Sequence, residues 1–285
     1  MEFQPITLGD RDKIKRALAA SECLNCEFSF GNLYSWGNAG GAEIAFWKDT
    51  MIVRLNGRVS LPIGPDRSEA FTALRAAGET KLFSVDEKDF EWLMGHVGKF
   101  EATYDRDWSD YLYDTLSLQQ LTGKKLAAKR NHINAFLKTN EQWHTEDITP
   151  ENLPAVRAFL DQWAALHAQN ADESARHEEQ MARLMLSDFF DLALEGLLLY
   201  AGENVVAISL GEPISPLCYC VHVEKALPDV RGAYPLINRE FARRYCTGYS
   251  YINREDDAGE PGLRKAKLSY EPAMLLNKYE IVLED

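Results

Sequence analysis

LLLYAGENVVAISL, Leu197 to Leu210, decides the fold. Two apolar runs, Leu197–Tyr200 and Val205–Leu210, flank Ala201-Gly202-Glu203-Asn204, whose glycine and asparagine suit a chain reversal. That pattern is an antiparallel hairpin. Leu217–Val223 reads as a third strand and Pro235–Tyr245 as the helix after it. The same plan occurs earlier in the chain. Glu43–Trp47 and Met51–Leu55 form a hairpin around Lys48-Asp49, Val59–Ile63 is the third strand, and Glu69–Ala77 is the helix. Each copy also opens alike. Ile6-Thr7-Leu8-Gly9-Asp10 and Ile148-Thr149-Pro150-Glu151-Asn152 each place a threonine to cap a helix behind a staple isoleucine, with Pro150 at the first helical position. Helices, a hairpin, a further strand and a helical crossover make an α+β plan, used twice, each copy a mixed sheet flanked by helices. The joint is expected at residue 120, giving a unit of residues 1–120 and another of residues 121–285.

The composition suits a soluble globular protein: 285 residues, 46% hydrophobic and 26% charged. A net charge of −13 argues against a general nucleic-acid binder, whose affinity rests on phosphate neutralisation. One basic patch stands out, Gly123–Lys138, where Lys124, Lys125, Lys129, Arg130 and Lys138 occur without an acid. Leu126, Ile133 and Leu137 share one helical face there, so a basic helix is expected to join the units. The acidic stretch Asn170–Gln180 reads as a solvated surface or loop. No apolar run is long enough to span a bilayer, and MEFQPITLGD lacks the plan of a secretory signal, so a cytoplasmic location is expected. Of the five cysteines, Cys23 and Cys26 form C-x-x-C and Cys218 and Cys220 form C-x-C. Neither pair has histidines at ligand spacing, so they read as buried thiols and no metal is expected.

Four blocks carry a resemblance: NCEFSFGNLYSW (Asn25–Trp36), LPIGP (Leu61–Pro65), LTGKKLAAKRNHINAF (Leu121–Phe136) and NREDDAGEPGLRKAKLSYEP (Asn253–Pro272). In that order they resemble the phosphatidylglycerol lysyltransferase C-terminal-like family, which has two tandem acetyltransferase-type (GNAT) units. The resemblance implies an acyl- or aminoacyl-transferase acting on an amine or hydroxyl of a small-molecule or peptide acceptor. It implies no tightly bound cofactor, and a donor substrate that is either acyl-CoA or aminoacyl-tRNA. Membrane lysyltransferases carry a long membrane-embedded region that this sequence does not contain, so the acceptor need not be a lipid.

A GNAT unit parts two parallel strands to take the donor's arm, and the next helix points its N-terminal amides at a pyrophosphate. By that resemblance the parted strands are expected to be Val205–Leu210 and Leu217–Val223. Arg231, Gly232 and Ala233 form the anion loop, which departs from the family pattern by continuing into Tyr234 and Pro235. An aminoacyl-tRNA donor would instead use a basic surface, for which Lys124, Lys125, Lys129 and Arg130 are candidates. The resemblance also casts Tyr270 as the acid that protonates the leaving group.

The residues of the last block supply the rest. Tyr249–Asn253 alternates as a strand, and Arg254-Glu255-Asp256-Asp257 falls at its C-terminal end, where ligands collect in open sheets. Adjacent carboxylates repel, so one should have a raised pKa or a basic partner and could take a proton from an attacking ammonium. Glu255 and Asp256 are the candidate bases; strand alternation would turn them to opposite faces. His222, near the end of the third strand, could relay a proton. Asn253, Arg254 and Lys267 are candidate contacts to a substrate carboxylate or phosphate. The first unit shows no comparable polar cluster and is expected to be structural. The competing reading is a non-catalytic GNAT-fold binding module that has lost its donor site. These patterns leave the oligomeric state open.

Overall fold

The computed structural model describes residues 1–168 and 173–284. Within the acidic stretch, Asn170, Ala171 and Asp172 lie outside the described residues. The first part of the chain supplies β1 (Gln4–Pro5), α1 (Arg11–Ala19), α2 (Phe30–Asn32), β2 (Glu43–Trp47), β3 (Thr50–Leu55), β4 (Arg58–Val59), α3 (Arg67–Ala76), β5 (Lys81–Asp86), α4 (Phe90–Val97) and β6 (Phe100–Tyr104). There follow β7 (Asp110–Asp114), α5 (Thr115–Gln120), α6 (Ala127–Thr139), β8 (Trp143–Asp147), α7 (Leu153–His167), α8 (Glu173–Ser187) and β9 (Glu195–Ala201). The remainder is β10 (Asn204–Ser215), β11 (Cys218–Ala226), α9 (Ala233–Tyr245), β12 (Tyr251–Asn253), α10 (Pro261–Leu268), β13 (Met274–Leu276) and β14 (Lys278–Leu283).

The strands build two seven-stranded sheets, β1-β2-β3-β4-β5-β14-β6 and β8-β9-β10-β11-β12-β7-β13. Written in that direction, the two orders match place by place. Each sheet has one parallel pair, β4/β5 or β11/β12, joined over a crossover helix, α3 or α9. The other pairs are antiparallel. The architecture is α+β, two mixed sheets flanked by helices, as the GNAT resemblance implied.

The sheets do not divide at residue 120. β7 precedes that point yet lies in the second sheet, beside β12, and β14 closes the chain in the first sheet, between β5 and β6. The units exchange a strand, and only Asn277 separates β13 in one sheet from β14 in the other. A second difference concerns the parted strands. Val205–Leu210 and Leu217–Val223 lie in β10 and β11, which pair antiparallel, because the short link between them reverses the chain. The parallel partner of β11 is β12, reached through α9. The helix starts also shift slightly. Thr149 donates its backbone N–H to Asn152 Oδ1 (2.8 Å), so α7 begins at Leu153 with Pro154 in its first turn and Pro150 in the preceding loop. Thr7 donates equivalently to Asp10 Oδ2 (2.9 Å).

One hydrophobic core spans both units: Ile14, Phe30 and Met51 pack with Leu112, Leu210 and Cys218. The opposite face of the second sheet carries Tyr113, Tyr219 and Ile252 against Phe241 of α9. Where the sheets meet, Asp110 and Lys278 are buried and their charges lie 2.9 Å apart. Removing one partner of such a pair strands the other charge. Lys278→Met is therefore expected to cost about 3–5 kcal/mol in urea unfolding. Asp110→Asn combined with Lys278→Met should recover part of that loss.

Candidate active site

β11 and β12 pair at Cys218/Tyr251, Tyr219/Ile252 and Cys220/Asn253, and there the pairing ends. β11 runs on to Ala226, so beyond Cys220 its edge loses that neighbour and the two strands part. The chain leaves β12 through Glu255, at a φ of +58°, and strand alternation stops there. Each of the three consecutive acids then finds a different partner. Glu255 Oε1 meets His222 Nδ1 at 2.9 Å and accepts from Asn32 Nδ2 at 2.9 Å. Asp256 lies 3.5 Å from the Lys278 ammonium. Asp257, fully buried, accepts from the Tyr111 hydroxyl and from Arg264 (2.7 and 2.9 Å). Glu255 and Asp256 thus both turn toward groups of the first sheet's side, not to opposite faces.

His222 is almost completely enclosed, with 1% of its side chain exposed, between Glu255 and Glu212, whose Oε1 is 3.3 Å from Nε2. Glu212 also accepts from the Gly31 N–H and faces Lys15 Nζ at 3.2 Å. Position 31 must be glycine for this approach. A Cβ there would sit 2.9 Å from Glu212 Oε1 and 3.2 Å from His222 Nε2. Burial opposes a charged imidazole, but Cys220, Glu212 and Glu255 around it outweigh that and hold its pKa well above the ordinary histidine value. Burial likewise opposes the Glu212 carboxylate; His222, Lys15 and the Gly31 N–H reverse the effect and depress its pKa. Cys220 Sγ, His222 Nδ1 and a Glu255 oxygen lie within 4.8 Å of one another, donors of the kinds a soft divalent cation uses. Burial pushes the Cys220 thiol up to about 12, and the Nδ1 position is already in contact with Glu255.

The expected substrate contacts are mostly used by the protein itself. Asn253, fully buried, donates to Asp110 Oδ2 and to the Leu24 carbonyl (both 2.8 Å) and accepts from Glu255 N (2.7 Å). Lys267 donates to the carbonyls of Arg254 (2.6 Å) and Asp256. Arg254 turns to the other face of the sheet and pairs with Glu224 at 2.7 Å, its guanidinium 4.7 Å from the centre of the Tyr270 ring. Its Nη1 is buried with no hydrogen-bond partner among the described residues. Tyr270 belongs to that same second core, across the sheet from His222, and burial raises its hydroxyl pKa. The structure therefore does not bring Tyr270 to the Glu255 carboxylate.

The donor-binding candidates are also partly covered. Gly232 begins α9 at a φ of +91°, pressed on the His132 carbonyl and Phe136 of α6, with Arg231 Nε 3.4 Å from His132 Nδ1 and Ala233 fully buried. In the basic stretch, Lys125, in the turn before α6, pairs with Glu271 (2.7 Å), and Arg130, on α6, clasps the Leu121 and Gly123 carbonyls. Lys129 lies over the Tyr270 ring and donates to Ser269 (2.7 Å); burial and nearby Arg254 lower its pKa to about 8. Lys124 is exposed. Glu212, Asn32, Gly31, Asp110, Lys15 and Lys278 were missed in the sequence. Their signal was there in part: Glu212 is the single acid inside the apolar strand β10.

Burial raises the Asp256 pKa to about 6, because Lys278 is engaged by Asp110 and Glu27 and offsets only part of the desolvation. The folded state thus binds a proton that the unfolded state, at about 3.9, releases. Stability falls as pH rises through about 4–6. Asp256→Asn should be about 1–3 kcal/mol more stable than the parent near neutral pH and equal to it at about pH 4, by urea unfolding across pH.

A family model described as phosphatidylglycerol lysyltransferase, C-terminal, matches residues 19–282. A conserved protein of unknown function from Bacteroides thetaiotaomicron is 34% identical, with a TM-score of 0.90 and 100% of both chains covered. Two more distant structures share the fold. The C-terminal domain of a candidate lysylphosphatidylglycerol synthetase from Agrobacterium fabrum is 13% identical (TM-score 0.63; 98% of this chain and 93% of that one). L-PGS from Bacillus licheniformis is 15% identical (TM-score 0.61; 96% and 91%). An uncharacterized protein of Mycoplasmoides gallisepticum is 24% identical over 174 residues, 60% of this chain and 55% of its own length, so the match spans about half of that relative. Among the described residues no helix is long and apolar enough to cross a membrane. With the family match running through both sheets, the chain belongs to the phosphatidylglycerol lysyltransferase C-terminal family.

Proposed function

We propose that the protein is a transferase that moves an aminoacyl or acyl group to an amine or hydroxyl, where β11 and β12 part. The observation that carries this reading is the Glu255 carboxylate just past the point where β12 stops pairing with β11, one oxygen fixed by His222 and Asn32. About a quarter of its side chain (23%) remains exposed, beside a partner that is enclosed. Glu255 takes the proton from the acceptor as its nitrogen or oxygen attacks the acyl carbon. The tetrahedral oxyanion sits against backbone N–H groups on the β11 edge beyond Cys220, where β12 no longer pairs. Collapse breaks the ester or thioester bond, and the proton returns from Glu255 to the leaving oxygen or sulfur. His222 holds the carboxylate in place; Glu212 and Lys15 hold His222.

The donor reading favours aminoacyl-tRNA over acyl-CoA. Gly232 at the start of α9 is pressed on α6, which leaves little room there for a pyrophosphate. A second reading, a binding module without turnover, is favoured by the use of Asn253 and Lys267 inside the protein.

The test is acyl transfer from tRNA charged with a labelled amino-acid mixture, and from acetyl-CoA, to a panel of amines. The aminoacyl donor should be consumed faster than in buffer. Glu255→Gln should lower the rate by about 100-fold or more while the Tm moves little. Turnover with neither donor, or an unchanged rate in Glu255→Gln, would favour the binding module.

A further inference from the structure

The first unit contains a cleft of about 490 Å³ that shares no residue with the Glu255 site. It lies where β4 and β5, the parallel pair of the first sheet, part beyond Val59 and Leu82. Its floor is apolar, formed by Leu24, Phe28, Leu61, Ile63 and Val85. Interiors pack densely, so a space of this size within an otherwise packed unit is unlike a packing defect and falls in the range of small-molecule sites.

Each rim carries a cation and an anion. Arg67, at the start of α3, stacks 4.3 Å over Trp92 and gives Nη1 to Asp89 (2.9 Å), while its Nε has no hydrogen-bond partner among the described residues. Asp86, at the end of β5, accepts from the Lys88 N–H (3.2 Å) and has the Lys88 ammonium no nearer than 3.7 Å, since that ammonium donates to the Glu22 carbonyl (2.6 Å). Burial raises the Asp86 pKa, so a cation at this carboxylate would be welcome. Between the rims Ser84 adopts a φ of +55°, opposite a register slip between Tyr279 and Ile281. Asn25 holds it there through the Ser84 carbonyl (3.1 Å) and hydroxyl (2.9 Å). A left-handed non-glycine residue is strained, and such strain collects at ligand sites.

A simple anion would meet Asp86, Asp89 and Glu22 in this cleft, and a simple cation would meet Arg67 and Lys88. A ligand with both charges, separated by an apolar body, satisfies both rims. We propose that the first unit's cleft binds a short apolar peptide with free ends, its ammonium at Asp86, its carboxylate at Arg67 and its side chains on the Phe28, Leu61 and Ile63 floor. The site is separate from the transfer reaction and does not depend on it. Its wall is nevertheless shared. The segment that lines the cleft with Cys23, Leu24 and Asn25 continues to Asn32, which holds Glu255, and the Leu24 carbonyl accepts from Asn253.

Calorimetric titration of the full chain with leucyl-leucine, its N-acetyl form and its C-terminal amide tests the assignment. Leucyl-leucine should bind with a Kd of about 10–500 μM, and each blocked form at least about 10-fold more weakly, the loss of one charge-assisted contact. Arg67→Gln should abolish the preference for acid over amide, and Asp86→Asn the preference for free over acetylated peptide. No binding at about 5 mM, or equal binding of all three peptides by the parent protein, overturns it. The comparison of peptides needs no variant to fold.

Discussion

The buried pair of Asp110 and Lys278 holds this structure together. A carboxylate and an ammonium enclosed at 2.9 Å attract strongly, but only because further polar groups complete their shells. Asp110 accepts from Cys26 N (3.0 Å) and Asn253 Nδ2 (2.8 Å); Lys278 also reaches Glu27 (2.9 Å). Those partners come from the first unit, from β12 and from the last strand. One buried charge therefore fixes three segments far apart in the chain, at the point where each unit gives a strand to the other. Burial opposes the Asp110 carboxylate, and Lys278, Asn253 and the Cys26 N–H together carry its pKa below the ordinary value. Burial opposes the Lys278 ammonium in turn, and Asp110 leads the groups that raise its pKa instead.

From that anchor the candidate site follows in short steps. Asn253, pinned by Asp110, accepts from Glu255 N; Glu255 then turns left-handed and presents its carboxylate to His222. The first unit closes the arrangement from its own side with Asn32, Gly31 and Lys15. The strand exchange gives this construction a physical reason. A site assembled from two units keeps its geometry only if the units cannot drift apart, and a strand lent in each direction prevents that drift more firmly than a packed interface between separate domains.

Much of the local structure was legible in the sequence. The hairpins, the third strand at Leu217–Val223 and the helix at Pro235–Tyr245 follow from alternation, turn residues and helical period, which act over a few residues. Of the third strand expected at Val59–Ile63, only Arg58–Val59 is a strand. The cluster Asn253–Asp257 was legible too, since three adjacent acids need separate partners and here they have them. The exchange of β7 and β14 was not. A strand's period says which face it buries but not which sheet receives it, and both strands read equally well in either place. The same limit hid Asn32 and Gly31, in NCEFSFGNLYSW, as parts of a site centred more than 200 residues later. Asn253, at a strand end, and Lys267, a cation on the next helix, looked like ligand contacts; burial gave them to the protein's own backbone instead.

The role of Glu255 depends on the state of His222. As an imidazolium clasped by two carboxylates it fixes Glu255 and leaves that carboxylate to act as the base. The direct measurement is a nitrogen-15 NMR titration of the His222 ring in the intact protein. Both ring nitrogens should keep the shifts of a doubly protonated imidazole past the ordinary midpoint of about 6.5. A neutral ring below about pH 7 would contradict the clasp and the role given to Glu255.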